Sequence, residues 1–123
     1  MKILLDTCAI LWAVSLPEKL TTHTREILSF ESTEIAVSPI SSAEIACGVA
    51  RNKIQLDRHW KVWFRYFVKQ NGWSIIPLDL DIVEEAYSLP EMFHQDPADR
   101  FIVATARLHS LVVVTGDRKI LDY

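Results

Sequence analysis

The chain is poor in the residues that mark thiolate–metal, secreted or membrane proteins. Its 123 residues hold two cysteines, Cys8 and Cys47, in helix-like surroundings and with no CxxC pattern. Thiols in a reducing cytoplasm are therefore expected rather than a disulfide framework. The four histidines, His23, His59, His94 and His109, have no ligand spacing with one another or with the cysteines, which disfavours zinc. No apolar run approaches the ~20 residues needed to cross a bilayer. Met1-Lys2 leads directly into the first apolar run, without a secretory signal pattern. No membrane partner and a cytoplasmic location are expected. The net charge of −3 gives no global attraction to nucleic acid, so any phosphate-binding surface must be a local patch. There is no linker, internal repeat or low-complexity segment. Half of the residues are hydrophobic, enough for a full core at a common single-domain length, and residues 1–123 are expected to form one domain.

What is present alternates. Strand-like runs at Lys2–Leu5, Glu34–Val37, Ser74–Leu78 and Leu111–Thr115 carry little polar alternation, as strands covered on both faces do. Helical patterns lie between them. Thr7–Ser15 ends before Pro17, Thr22–Phe30 has Ile27 and Leu28 on one face, and Ser41–Asn52 opens with Ser41…Glu44, a capping-box pattern. Arg58–Asn71 has Asp57 as N-cap and Gly72 as its left-handed stop. Asp79 or Asp81 caps a helix running to Leu89. Asp96-Pro97, a capping acid followed by proline, starts a helix to about His109. A last short helix is expected after Asp117. Strands alternating with helices predict an α/β fold with a mostly parallel sheet.

In such a sheet, ligands bind outside the carboxyl ends of the strands. Asp6 follows the first strand directly, and Asp117 follows the last across Thr115-Gly116. Glu44 lies near the start of a helix that follows a strand. Asp99 lies at the start of a helix that runs antiparallel to the last strand. The topology thus sends Asp6, Glu44, Asp99 and Asp117 to one edge. Each acid alone has an ordinary explanation: Asp6 as a cap, Glu44 in a capping box, Asp99 as a favourable charge at a helix start, Asp117 as a turn residue. Capping does not explain why four separated segments bring acids to the same edge. Two carboxylates about 4 Å apart repel by roughly 4 kcal/mol at a protein-like dielectric, so a cluster needs protons or a cation. Oxygen-only ligands suit Mg²⁺ or Mn²⁺. Asp96 is read mainly as a cap, with an outer supporting role as the alternative. Thr7 and Thr115 either steady carboxylates through their hydroxyls or are ordinary strand-end threonines. Arg100 either balances the acids, holds a phosphate or points outward.

These residues resemble a family. Ile3-Leu4-Leu5-Asp6-Thr7, Ser42-Ala43-Glu44, His94-Gln95-Asp96-Pro97-Ala98-Asp99-Arg100 and Thr115-Gly116-Asp117 are similar, in that order, to the motifs of PIN-domain ribonucleases. The D-P-x-D-R segment followed by an apolar helix most resembles the VapC toxins of toxin–antitoxin pairs. The resemblance spans essentially the whole chain. It implies a three-layer PIN-like fold with a sheet of about four to five strands, and a Mg²⁺- or Mn²⁺-dependent endoribonuclease, often a homodimer, silenced by a cognate antitoxin. The family's acidic cluster maps onto Asp6, Glu44, Asp99 and Asp117, with a supporting hydroxyl on Thr115. The chemistry agrees: phosphodiester hydrolysis needs an activated water and charge neutralisation, both of which carboxylate-held cations supply. Haloacid-dehalogenase-like phosphatases need a second Asp where this chain has Cys8. Receiver-like domains have no place for the Asp99 helix start. The remaining rival is a non-catalytic PIN-like interaction module whose acids are structural.

One segment lies outside this scheme. Arg58, Lys61, Arg65 and Lys69 recur at three- and four-residue steps, as do Trp60, Trp63, Phe64 and Phe67. A solvated face over a core face accounts for both. The alternative is that Arg58, Lys61 and Arg65 guide RNA phosphates, while the aromatics line or support a groove for the antitoxin or a second copy.

Overall fold

Ile3, Leu4 and Leu5 are each fully buried, and that triplet sets the architecture seen in a computed structural model, described here for residues 1–90 and 96–115. Adjacent strand residues point to opposite faces, so three consecutive buried positions mean that the strand is covered on both faces. On one side, Ile3 and Leu5 join Ala9, Ile10, Ile45, Trp63, Phe64 and Val68 in one core. On the other, Leu4 packs with Ala36, Ile102 and Ala106. The sheet is thus the middle of three layers.

The strands are β1 (Lys2–Leu5), β2 (Glu34–Val37), β3 (Ser74–Ile75) and β4 (Val112–Val114). They form a parallel sheet in the order β3-β2-β1-β4. The helices are α1 (Thr7–Ser15), α2 (Thr22–Ser29), α3 (Pro39–Ala50), α4 (Trp60–Gln70), α5 (Leu80–Ala86) and α6 (Pro97–His109), with a 3₁₀ turn at Pro17–Lys19. The expected α/β class and PIN-like layering are met, with four strands among the described residues. The chain leaves β1 toward β2 on one side, yet its last described strand, β4, pairs with β1 on the other. The carboxyl ends of β1 and β4 therefore flank a topological switch point, where open α/β sheets bind their ligands.

Several expected boundaries move, each for a local reason. β3 stops at Ile75 rather than Leu78: Ile76 still donates its N–H to Val37 O at 3.0 Å, but Pro77 has no N–H to continue a ladder. α3 begins at Pro39, not Ser41, because Ser38 caps it through Ile40 N at 3.1 Å. Ser38-Pro39 is the same cap-then-proline signal that starts α6. Ser41 and Glu44 are consequently not a capping box. α4 begins at Trp60 with His59 as its cap, His59 Nδ1 accepting from Lys61 N at 3.2 Å. Asp57 is instead gripped by Arg58 at 3.0 and 2.9 Å, and this hydrogen bonding holds its carboxyl below the ordinary value. α5 ends at Ala86 rather than Leu89. Gly72 adopts φ +67° after α4, the left-handed stop glycine permits at least cost. Asp79 and Asp96 cap α5 and α6 as expected, accepting from Ile82 N and Ala98 N at 2.9 Å each. The helix expected after Asp117 lies outside the described residues.

Candidate active site

Register brings the ends of the first and last described strands together. Leu5 pairs with Val114, and Asp6 N donates to Val114 O at 3.1 Å, so Asp6 and Thr115 are the next positions past the ladder. Asp6 is only 3% exposed, and both of its oxygens are engaged. Oδ1 accepts from Ala9 N at 2.8 Å, capping α1, and Oδ2 accepts the Thr115 hydroxyl. Asp6 is both a helix cap and a buried acid at the switch point; the two readings left open by the sequence are not exclusive.

Thr7 ties α1 to α3. Its Oγ lies 2.9 Å from Ser41 Oγ and also meets Glu44 Oε1. A hydroxyl has one proton, so Thr7 gives it to the carboxylate and takes the proton of Ser41. Ser41 is fully buried. It is absent from the site residues expected from the sequence, although its place one turn before Glu44 on the same helix face is a signal for it. Asp99, 6% exposed, stands in the first turn of α6. α6 leads into β4 and must run against it, so Asp99 is at the carboxyl edge with Asp6.

The structure bears on three expectations. Among the described residues no group of three or more Asp, Glu, His or Cys is disposed to hold a metal ion. The described acids share an edge but do not form a ready cage, because Glu44 is turned onto Thr7 and Asp6 onto its cap and Thr115. Asp117 lies outside the described residues. Arg100 is no open phosphate grip: it is 6% exposed, donates from Nη1 to Ala86 O at 3.1 Å and lies over the Tyr87 ring at 5.6 Å, joining α5 to α6. The α4 stripes also divide. Trp63 and Phe64, 2% and 5% exposed, belong to the core under β1 and support the surface from below rather than present a free face to it; Trp60 and Phe67 are half-buried at its margin. Arg58 precedes the helix and spends its guanidinium on Asp57 and the face of Tyr66, 4.4 Å away. Lys61 and Arg65 stay exposed. Asp96 acts as the α6 cap.

The donor set nevertheless fits a hard cation chemically. Asp6, Glu44 and Asp99, with the hydroxyls of Thr7, Ser41 and Thr115, offer only oxygen, and two of the three acids are buried where an unbalanced charge is costly. No helix among the described residues is long and apolar enough to cross a membrane.

Comparison with known proteins agrees with the geometry. The PIN domain family matches residues 3–123. Ribonuclease VapC22 of Mycobacterium tuberculosis (strain ATCC 25618 / H37Rv) is 30% identical over 121 residues, covering 98% of this chain and 91% of that protein. Among solved structures, a toxin–antitoxin complex from Klebsiella pneumoniae aligns with a TM-score of 0.65 at 24% identity, over 97% of this chain and 89% of that one. VapBC2 from Rickettsia felis, bound to a promoter DNA fragment, aligns with a TM-score of 0.71 at 19% identity, over 99% and 92%. These two likenesses bear on the fold. A buried aspartate at the β1–β4 switch point, a threonine-held glutamate on α3 and an aspartate opening α6 thus occur in a chain that belongs to the PIN-domain family, in its VapC branch.

Proposed function

We propose that this protein is an endoribonuclease of the VapC type, the toxin of a toxin–antitoxin pair, hydrolysing RNA phosphodiester bonds with Mg²⁺ or Mn²⁺. The observation that carries the reading is Asp6, a buried carboxylate oriented at the switch point by a helix cap on one oxygen and Thr115 on the other. Asp6, Glu44 and Asp99 are the proposed acidic ligands and catalytic groups. Asp117 joins them on its sequence position, two residues past Thr115. Bound there, a divalent cation neutralises developing charge and lowers the pKa of water. The chain's own work is placement. Thr115 fixes the rotamer of Asp6, Thr7 and Ser41 fix that of Glu44, and Asp96 with Pro97 sets the start of α6 and so the position of Asp99. Hydroxyl partners of this kind are what metal-binding carboxylates need around them.

The partners follow from the same kinship. The VapC branch supports a cognate antitoxin, and the neighbouring structures from Klebsiella and Rickettsia are toxin–antitoxin assemblies. A cytoplasmic location is part of the proposal, as is a homodimer: exposed Leu108 and Val112 leave apolar surface beside β4. Sedimentation at micromolar concentration should give twice the 14.1 kDa chain mass, and a single 14.1 kDa species would remove the dimer alone.

The test of function is cleavage of total RNA by purified protein with Mg²⁺, Mn²⁺ or EDTA, with fragment ends mapped. Cleavage with metal, abolished by EDTA, is expected. Intact RNA under all three conditions would leave the acids as structural and the protein as an interaction module.

A further inference from the structure

We infer that the cleft between α3 and α4 is a subsite for one unpaired nucleotide of an RNA strand, reached from the Asp6 site across the first turns of α3. The inference rests on the ribonuclease reading and adds to it the form of the substrate, single-stranded at this position, and the residues that hold it.

The cleft has a volume of about 420 Å³ and is lined by Pro39, Ser42, Trp60, Lys61, Arg65 and Ile75 over a floor of Phe64. That volume lies in the range of small-ligand sites. Lys61 and Arg65 are four residues apart on α4 and so share a face. Among the described residues no acid is ion-paired with either. Trp60 is half-buried, with His59 stacked at 5.5 Å and Lys61 Nζ 5.6 Å from its ring centre. An aromatic ring beside two cations, with no carboxylate in the lining, suits a base and its phosphates. Stacking of a base on an aromatic side chain is worth about 1–3 kcal/mol whatever the base. A duplex keeps its bases stacked on each other, so the nucleotide that enters must be unpaired.

Placement links the cleft to the acids. Pro39 lies just past the carboxyl end of β2 and Ile75 ends β3, so the cleft opens at the same sheet edge as Asp6. Ser42 lies between Ser41 and Glu44 on α3. At ~100° per residue, Ser42 and Glu44 point to opposite sides of that helix. The cleft and the acidic site therefore flank α3, about one helix diameter (~10 Å) apart. A docked protein helix would need apolar anchors repeating over several turns, whereas the apolar part here is one short floor with cations beside it. The cavity between α5 and α6 has the opposite character: at about 460 Å³ it is lined by Asp79, Asp81, Glu84 and Glu85 and repels a polyanion.

The test is binding of a short, end-labelled, single-stranded ribo-oligomer followed by fluorescence anisotropy in EDTA, so that neither metal nor cleavage enters the readout. K61Q/R65Q should weaken binding at least about tenfold and reduce the slope of log K against log[salt] by about 1.4, the share of two phosphate contacts on a single strand. W60L should weaken it roughly five- to a hundredfold with the slope unchanged. K69Q, on the same helix but at the opposite edge of the sheet, should stay within about twofold. Parent-like binding and salt slope in K61Q/R65Q, or no binding by the parent, would overturn the subsite. So would a double variant that keeps its RNA affinity but no longer captures the product of the adjacent reading frame, since the cleft would then be a protein-docking surface. A parent that binds through Lys61 and Arg65 yet cleaves nothing with Mg²⁺ or Mn²⁺ removes the nuclease and leaves the subsite. A parent that cleaves while the double variant binds normally does the reverse.

Discussion

Thr115 donates its hydroxyl to the carboxylate of Asp6 across 109 residues of chain. The two meet because Leu5 and Val114 are register partners, so the bond extends the sheet by one side-chain step. Replacing Thr115 with valine keeps the shape and removes the donor. Cleavage by T115V should fall about 10- to 100-fold, as for other groups that support metal-binding side chains, and T115S should recover most of it. Single-turnover rates check this; T115V cutting at the parent's rate would reduce the bond to ordinary packing.

Asp6 caps α1 and Asp99 lies in the first turn of α6, and asparagine separates these local roles from the proposed metal role. Asn caps a helix about as well as Asp but carries no charge. D6N and D99N should lose cleavage, yet melt at an equal or higher temperature in EDTA because like-charge repulsion is relieved. Added Mg²⁺ should then stabilise the parent by ~2.7 kcal/mol at a hundredfold excess over the dissociation constant, and the variants by less. Equal metal-induced shifts in parent and variants, read by calorimetry, would return Asp6 to capping and Asp99 to a helix-start charge.

The aromatics of α4 should divide by depth. Trp63 is 2% exposed in the core beneath β1, and W63A should cost about 3–5 kcal/mol. W60A, at the core margin, should cost at least ~2 kcal/mol less. Urea denaturation measures both. Similar losses would mean that Trp60 is as much a core residue as Trp63.

Ser38 is fully buried and caps α3, the helix that carries both Ser41 and Glu44. S38A should cost about 1 kcal/mol and also slow cleavage, because fraying of the first turn displaces Ser41 from Thr7. S42A, one residue past Ser41 and facing the cleft, should leave stability within about 0.5 kcal/mol. A stable but slow S38A would shift its role from stability to positioning alone.

Much of this was legible in the sequence because it is local. The apolar triplet Ile3-Leu4-Leu5 announced a buried parallel strand, whereas β3 and β4, expected to be covered on both faces, lie at the sheet edges with Ile75 and Val112 exposed; Asp79 and Asp96 announced their helices, since a cap is written within three residues of what it caps. Misreadings came where two local signals competed. Ser41…Glu44 fits a capping box, but Ser38-Pro39 starts the helix earlier and frees both residues for Thr7. Asp57 resembles a cap, but the guanidinium of its neighbour Arg58 takes its carboxylate. The burial of Trp63 and Phe64 was one of two readings the stripe allowed, because helical spacing places residues on a face without saying what lies against it. The burial of Arg100 was hidden for the same reason: Ala86 O and the Tyr87 ring come from the end of another helix.

The order β2-β1-β4 places the N-terminal strand inside the sheet and leaves one of its sides open until nearly the whole chain exists. At a synthesis rate of about 5–20 residues per second, Asp6 leaves the peptidyl-transferase centre roughly 5 to 20 seconds before Thr115 is made. Throughout that interval β1 has no β4 to pair with and the carboxylate lacks its hydroxyl partner. Long-range parallel pairing is also slow to form once its residues exist. The site around Asp6 is therefore incomplete in the nascent chain until β4 is made and paired.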